Sequence, residues 1–106
     1  MFETAALSGS KTEQYAELAT QARGLLAGER DRTANAANLG ALVYHALPDL
    51  NWVGFYFFDG HELVVGPFQG HPACVRIALG RGVCGTAAQT RQTQRVADVD
   101  AFPGHI

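Results

Sequence analysis

A chain of 106 residues is the size of one domain, and its composition, 47% hydrophobic and 17% charged, is that of an ordinary globular protein. A formal charge of −2 gives no electrostatic footing for nucleic acid or an anionic membrane, and no apolar run approaches the roughly twenty residues a bilayer span needs. The first ten residues, MFETAALSGS, have neither the basic nor the apolar region of a secretion signal, so a cytoplasmic location is expected, with no nucleic-acid or membrane partner.

Residues 11–27, KTEQYAELATQARGLLA, set Tyr15, Leu18, Ala22, Leu25 and Leu26 three and four apart, which predicts one apolar face of a helix ended by Gly28. A second helix is predicted from 33 to 47, with Ala37, Leu39, Val43, Tyr44 and Leu47 toward the core and Pro48 limiting it. The charged GERDR between them reads as a solvated turn, so 11–47 forms a helical hairpin.

Beyond residue 50 the pattern changes to strand. NWVGFYFFD is aromatic and branched, DG at 59–60 signals a turn, and ELVVGPF follows, which predicts a β-hairpin. HP at 71–72 breaks the chain before a third strand, ACVRIAL; VCGTAAQTR then reads as a short helix, QRVADV as a further strand and DAFPGHI as a loop. Helices first and then an antiparallel sheet give the α+β class: one domain over 1–106, with the helical hairpin at 11–47 packed on a sheet at 50–106 that carries a short inserted helix. With no closing element after the last strand the sheet edge stays open, so the domain is expected to be incomplete at its C-terminal side. An open edge also admits pairing with a second copy, a homodimer being one form of this.

Two cysteines, Cys74 and Cys84, are too few for a disulfide scaffold and show no metal-ligand spacing; in a reducing compartment they rest as thiols. The four histidines are scattered, and neither a metal nor a bound cofactor is expected. Glu62, Asp98 and Asp100 fall on separate segments and no Ser-His-Asp set is evident, which leaves hydrolytic chemistry without support.

Thiol chemistry remains. In GRGVCG, Cys84 falls in the first turn of the predicted inserted helix, where unpaired N–H groups and the helix dipole favour thiolate, with Arg81 adding positive charge. Gly80, Gly82 and Gly85 allow positive φ and close backbone approach; the same glycines also suit a plain tight connection, and the Lys-Ser/Thr ending of a P-loop is missing. Alternation in the third strand puts Cys74 with Arg76 and Ala78 on one face and Ala73, Val75, Ile77 and Leu79 on the other. In the first strand Trp52, Gly54, Tyr56 and Phe58 share a face, with Gly54 leaving a gap between indole and phenol for a small methyl-sulfur or cationic group; Phe55 and Phe57 face the helices.

The runs NWVGFYFF, GPFQG, ACVRI, GRGVCGTA and FPGHI, occurring in this order, resemble the free methionine-R-sulfoxide reductases, a GAF-fold family, from the first helix to the last residue. The resemblance implies reduction of free L-methionine (R)-S-oxide to methionine: a thiolate attacks the sulfoxide sulfur, a sulfenic acid is left, a second cysteine condenses with it, and thioredoxin reduces the disulfide. On that resemblance Cys74 matches the usual resolving thiol, Cys84 a second thiol beside the site able to join disulfide exchange, and Trp52 and Tyr56 the aromatic wall around the methyl-sulfoxide end. The family's attacking cysteine falls just after GHI, and the acidic residues for the substrate amino group lie further on, so this chain is expected to be a C-terminally truncated reductase with little or no activity. The rival expectation is a GAF-type sensor that binds a small molecule without chemistry.

Overall fold

A computed structural model of the protein describes residues 2–105. Helix α1 (Lys11–Leu26) opens on a capping box: Ser10 Oγ accepts from the Glu13 amide at 3.2 Å and Glu13 Oε1 accepts from the Ser10 amide at 3.1 Å. Those bonds hold the Glu13 carboxyl below its ordinary pKa. Helix α2 (Arg32–Ala46) opens on Asp31, whose Oδ2 accepts from the Ala34 amide at 2.8 Å, and stops just before Pro48. The chain continues through strands β1 (Trp52–Phe58), β2 (Leu63–Gly70) and β3 (Arg76–Ile77), helix α3 (Gly82–Thr90) and a 3-10 turn, Val99–Ala101. The strands form one sheet in the order β1-β2-β3, and four residues join β1 to β2, which only an antiparallel hairpin permits.

The molecule divides into two compact units. The first holds the residues up to Phe55 together with Gly66–Pro72; the second holds Tyr56–Val65 together with the residues from Ala73 onward. In the first, α1 packs on α2 and buries Leu18, Ala36 and Leu42. Gly40 faces Phe55, whose ring a methyl group at residue 40 would meet at 3.9 Å, in ordinary contact. Two sequence expectations are corrected: Tyr15 is 53% exposed, and the buried line of α2 runs through Ala36, Gly40 and Leu42 while Ala37 faces solvent.

In the second unit the core is a cross-strand pair, Leu63 opposite Ile77, with Val64 opposite Arg76 in the antiparallel β2/β3 ladder. In the turn between β1 and β2, Asp59 Oδ1 accepts from the amides of His61 and Glu62, both at 2.9 Å. Those bonds, with the Arg76 guanidinium adding, hold the Asp59 carboxyl below its ordinary pKa. Arg76 meets Glu62 at 2.9 Å and Asp59 at 3.5 Å in the open, where such pairs contribute little.

The third strand expected over 73–79 reduces to Arg76–Ile77. Beyond Ile77 the backbone bonds elsewhere: Arg81 N donates to Ala78 O at 3.1 Å and Gly80 N to Gly85 O at 2.8 Å, so the chain turns onto α3 instead of extending the ladder. The two alternating faces expected over 73–79 therefore do not form; of Val75, Ile77 and Leu79, expected on one face, Ile77 is buried while Val75 is 62% exposed and Leu79 is exposed as well. The further strand expected in QRVADV is also absent among the described residues. Asp98 caps a 3-10 turn, accepting from Asp100 N at 3.0 Å, and Ala101 N and Phe102 N bond back to Asp98 O and Val99 O, which commits those groups locally.

Candidate active site

In the second unit the start of α3 is shaped by its glycines. Gly80 and Gly82 have φ of +83° and +61°, which non-glycine residues rarely adopt, and Gly85 lies so close to the preceding turn that a Cβ would stand 2.5 Å from Ala78 O. Arg81 occupies the N-cap position without a side-chain cap, and Cys84 follows in the first turn as a free, exposed thiol.

Its ionisation departs from the sequence expectation. Although the residue as a whole is exposed, the protein packed around its sulfur pushes the Cys84 thiol up, and no compensating charge reverses that direction. Near neutral pH the group rests as the thiol.

Cys74 is the other free thiol and is also exposed. It lies two residues before β3, and its carbonyl accepts a hydrogen bond from Tyr56 Oη at 2.7 Å. The Tyr56 phenol is pushed up, first by burial and then by negative charge on Cys74 and on Cys84. Tyr56, Cys74 and Cys84 thus come together in this unit, one phenol within electrostatic reach of both sulfurs. Spacing along the chain gave no signal for the tyrosine-to-carbonyl bond, which joins residues 18 apart.

Trp52 belongs to the first unit. Its Nε1 donates to His71 O at 3.2 Å, and its ring stacks on Phe68 with centroids 5.4 Å apart and planes 19° apart. The gap expected beside Gly54 is filled by this pair: a Cβ there would stand 2.6 Å from Trp52 Cη2 and closer still to Phe68 Cβ. The indole folds over the glycine instead of leaving a recess. Phe68, read from sequence only as part of a strand, is the aromatic partner that reading missed; its place in an aromatic and branched hairpin was the available hint.

The first unit also contains a cavity of about 910 Å³ between residues 2–7 and helices α1 and α2, lined among others by Gln14, Gln21, Asn38 and His45. Trp52 does not line it. Among the described residues no group of three or more His, Cys, Asp or Glu side chains is arranged to hold a metal, and no helix is long and apolar enough to cross a membrane.

An α+β fold with free thiols gathered beside a sheet tyrosine defines the class, and comparison with known proteins defines it further. No protein-family model matches the chain. The chain is 54% identical over 97 residues to the free methionine-R-sulfoxide reductase of Escherichia coli, an alignment covering 92% of this chain and 59% of that protein. Among solved structures, that of the free methionine-R-sulfoxide reductase from Neisseria meningitidis in complex with its substrate superposes with a TM-score of 0.94 at 44% identity, covering 100% of this chain and 64% of that one. A protein described as a GAF sensor from Burkholderia vietnamiensis superposes with a TM-score of 0.89 at 76% identity, covering 92% of this chain and 62% of that one. The fold is that of a GAF domain. The chain belongs to the free methionine-R-sulfoxide reductase family, and it spans 58 to 66% of the length of the curated relatives it matches.

Proposed function

We propose that the whole protein reduces free L-methionine (R)-S-oxide to L-methionine by thiol chemistry in the cytoplasm, with thioredoxin as the external reductant. A thiolate attacks the sulfoxide sulfur; as the S–O bond breaks and a proton is taken up, methionine leaves and a sulfenic acid stays on the enzyme. A second thiol condenses with it, releasing water and forming a disulfide, and the thioredoxin dithiol reduces that disulfide while becoming oxidised itself. Cys74 serves as the resolving thiol and Cys84 as an exchange partner, and the resemblance assigns Trp52 and Tyr56, each in its own unit, to the methyl-sulfoxide end. The attacking thiol follows residue 106 in the whole protein.

The observation that carries this reading is the hydrogen bond from Tyr56 Oη to the Cys74 carbonyl, in the unit that also holds Cys84 as a free, exposed thiol. Burial that pushes the Cys84 thiol up disfavours it for the first attack on the sulfoxide, which calls for a thiolate. The test is an assay with free methionine-R-sulfoxide and a thioredoxin system. Residues 1–106 alone are expected to turn over little or nothing; the whole protein should turn over, and Cys74→Ser should abolish its thioredoxin-linked recycling. Turnover by residues 1–106 at a rate typical of enzymes would show that Cys74 or Cys84 makes the attack.

A second reading, a ligand-binding sensor without catalysis, is favoured by the 76% identity to the Burkholderia vietnamiensis protein. A sensor keeps its ligand binding when both Cys74 and Cys84 are changed to serine and shows no thioredoxin-linked turnover before the change.

A further inference from the structure

Cys74 lies in a stretch that the fold does little to hold. Residues 72–74 have no regular secondary structure, Cys74 is exposed, and β3 begins only at Arg76. The ladder reaches back to Val75, whose carbonyl accepts from Val65 N at 2.9 Å. For residue 74 itself neither burial nor a regular strand fixes the backbone from which the thiol springs. The Tyr56 hydroxyl does, donating to the Cys74 carbonyl at 2.7 Å from β1, with β2 the strand between β1 and β3.

We propose that Tyr56 is a positioning residue for Cys74: its hydroxyl ties down the carbonyl of residue 74 and so sets where that thiol sits, a role separate from any contact of its ring with substrate. Burial and the charges of the two thiols push the phenol up, so it keeps its proton, and remains a donor, over the pH range in which thiols react. The consequence for recycling rests on the reductase reading, whereas the positioning does not, and the two are tested apart.

The test is Tyr56→Phe, which keeps the ring and deletes the donor. Amide exchange over residues 73–76 should speed up by about fivefold, the worth of one modest hydrogen bond, while α1 and α2 keep their protection and report an intact fold. Peptide-resolved alkylation by iodoacetamide should rise for Cys74 by about threefold or more and stay unchanged for Cys84. A 3-fluorotyrosine at position 56, which restores the donor, should return both readouts to the native values; this protein also carries the test if the phenylalanine variant does not fold, because its more acidic phenol should loosen residues 73–76 at a lower pH than the native one does. Unchanged exchange and alkylation in a folded Tyr56→Phe protein, or the same pH of loosening in the fluorotyrosine protein, overturns the proposal. In the whole protein the phenylalanine variant should lose several-fold in thioredoxin-linked kcat and keep its KM for methionine sulfoxide. A raised KM with unchanged kcat would put the hydroxyl on the substrate and overturn the positioning role. If the whole protein shows no reductase activity at all, the reductase reading fails, and exchange and alkylation still decide what Tyr56 does.

Discussion

The two units are held by different kinds of contact. In the first, side chains make the structure: Ser10, Glu13 and Asp31 cap the helices, and Trp52 stacks on Phe68 over Gly54. In the second, the start of α3 is placed by main chain: Gly80 N bonds to Gly85 O, Arg81 N to Ala78 O, and Gly85 leaves no room for a Cβ against the Ala78 carbonyl, while α3 begins without a side-chain cap. A segment placed by its backbone leaves its side chains uncommitted. That is where Cys84 is found, free and exposed, whereas Cys74 lies before β3 and has its carbonyl tied by the Tyr56 hydroxyl. The start of α3 is thus fixed through glycine and carbonyl geometry, where α1 and α2 are started by side-chain caps.

The comparison is broken most sharply by a methyl group on each side. Gly54→Ala in the first unit drives a Cβ into Phe68 and to 2.6 Å from Trp52 Cη2, and the stack must come apart. The expected loss is about 3 kcal/mol, at the upper end of overpacking costs, measured by urea unfolding with tryptophan fluorescence reporting the displaced indole. Gly85→Ala in the second unit meets the Ala78 carbonyl at 2.5 Å, a backbone atom that cannot rotate away. Here alanine's better helix propensity returns about 1 kcal/mol, so a net loss of about 2 kcal/mol is expected, with faster alkylation of Cys84 as α3 loosens. A neutral Gly85→Ala would mean that the turn at 78–81 is not packed against α3.

Caps give a smaller contrast. Ser10→Ala removes a formed cap and should cost about 1 kcal/mol. Arg81→Ser offers a cap where α3 has none and should gain up to about 1 kcal/mol. Opposite signs in paired thermal melts would confirm that α1 already has a side-chain cap and α3 does not; equal signs would remove the distinction.

The same contrast explains what could be read along the chain. Both long helices follow from 3.6-residue periodicity, and the hairpin follows from DG between aromatic runs, because capping, periodicity and turn chemistry are local. The need for glycine at 80, 82 and 85 was visible for the same reason. The third strand was overread because ACVRIAL has strand composition, and composition does not show that Gly80 and Arg81 direct their amides to α3 and the turn. QRVADV was overread likewise, since Asp98 draws the following amides into a 3-10 turn. At the site, alternation placed Trp52, Gly54 and Tyr56 on one strand face but could not tell that Phe68 closes the indole over Gly54, or that the Tyr56 hydroxyl is engaged by the backbone of residue 74. Both depend on partners more than a dozen residues away.

Cys84 is the residue on which local and nonlocal effects oppose each other, and its titration measures the smallest difference between them. A helix start favours the thiolate by about 0.3 to 1 kcal/mol, less than the roughly 1.4 kcal/mol behind a tenfold change in ionisation. Partial burial acts in the other direction and wins, so the thiol is pushed up. Iodoacetamide should therefore modify Cys84 more slowly at pH 8 than it modifies free cysteine, with a rate midpoint on the alkaline side of an ordinary thiol. Because the native protein holds this proton more tightly than the unfolded chain, the associated stability is fully present below the ordinary thiol range. It is lost as pH rises from that range through the native midpoint. Cys84→Ser should flatten this stretch of the stability profile. An acid-shifted midpoint would instead give the dipole the larger share, make Cys84 a thiolate at neutral pH, and recast it from exchange partner to attacking group.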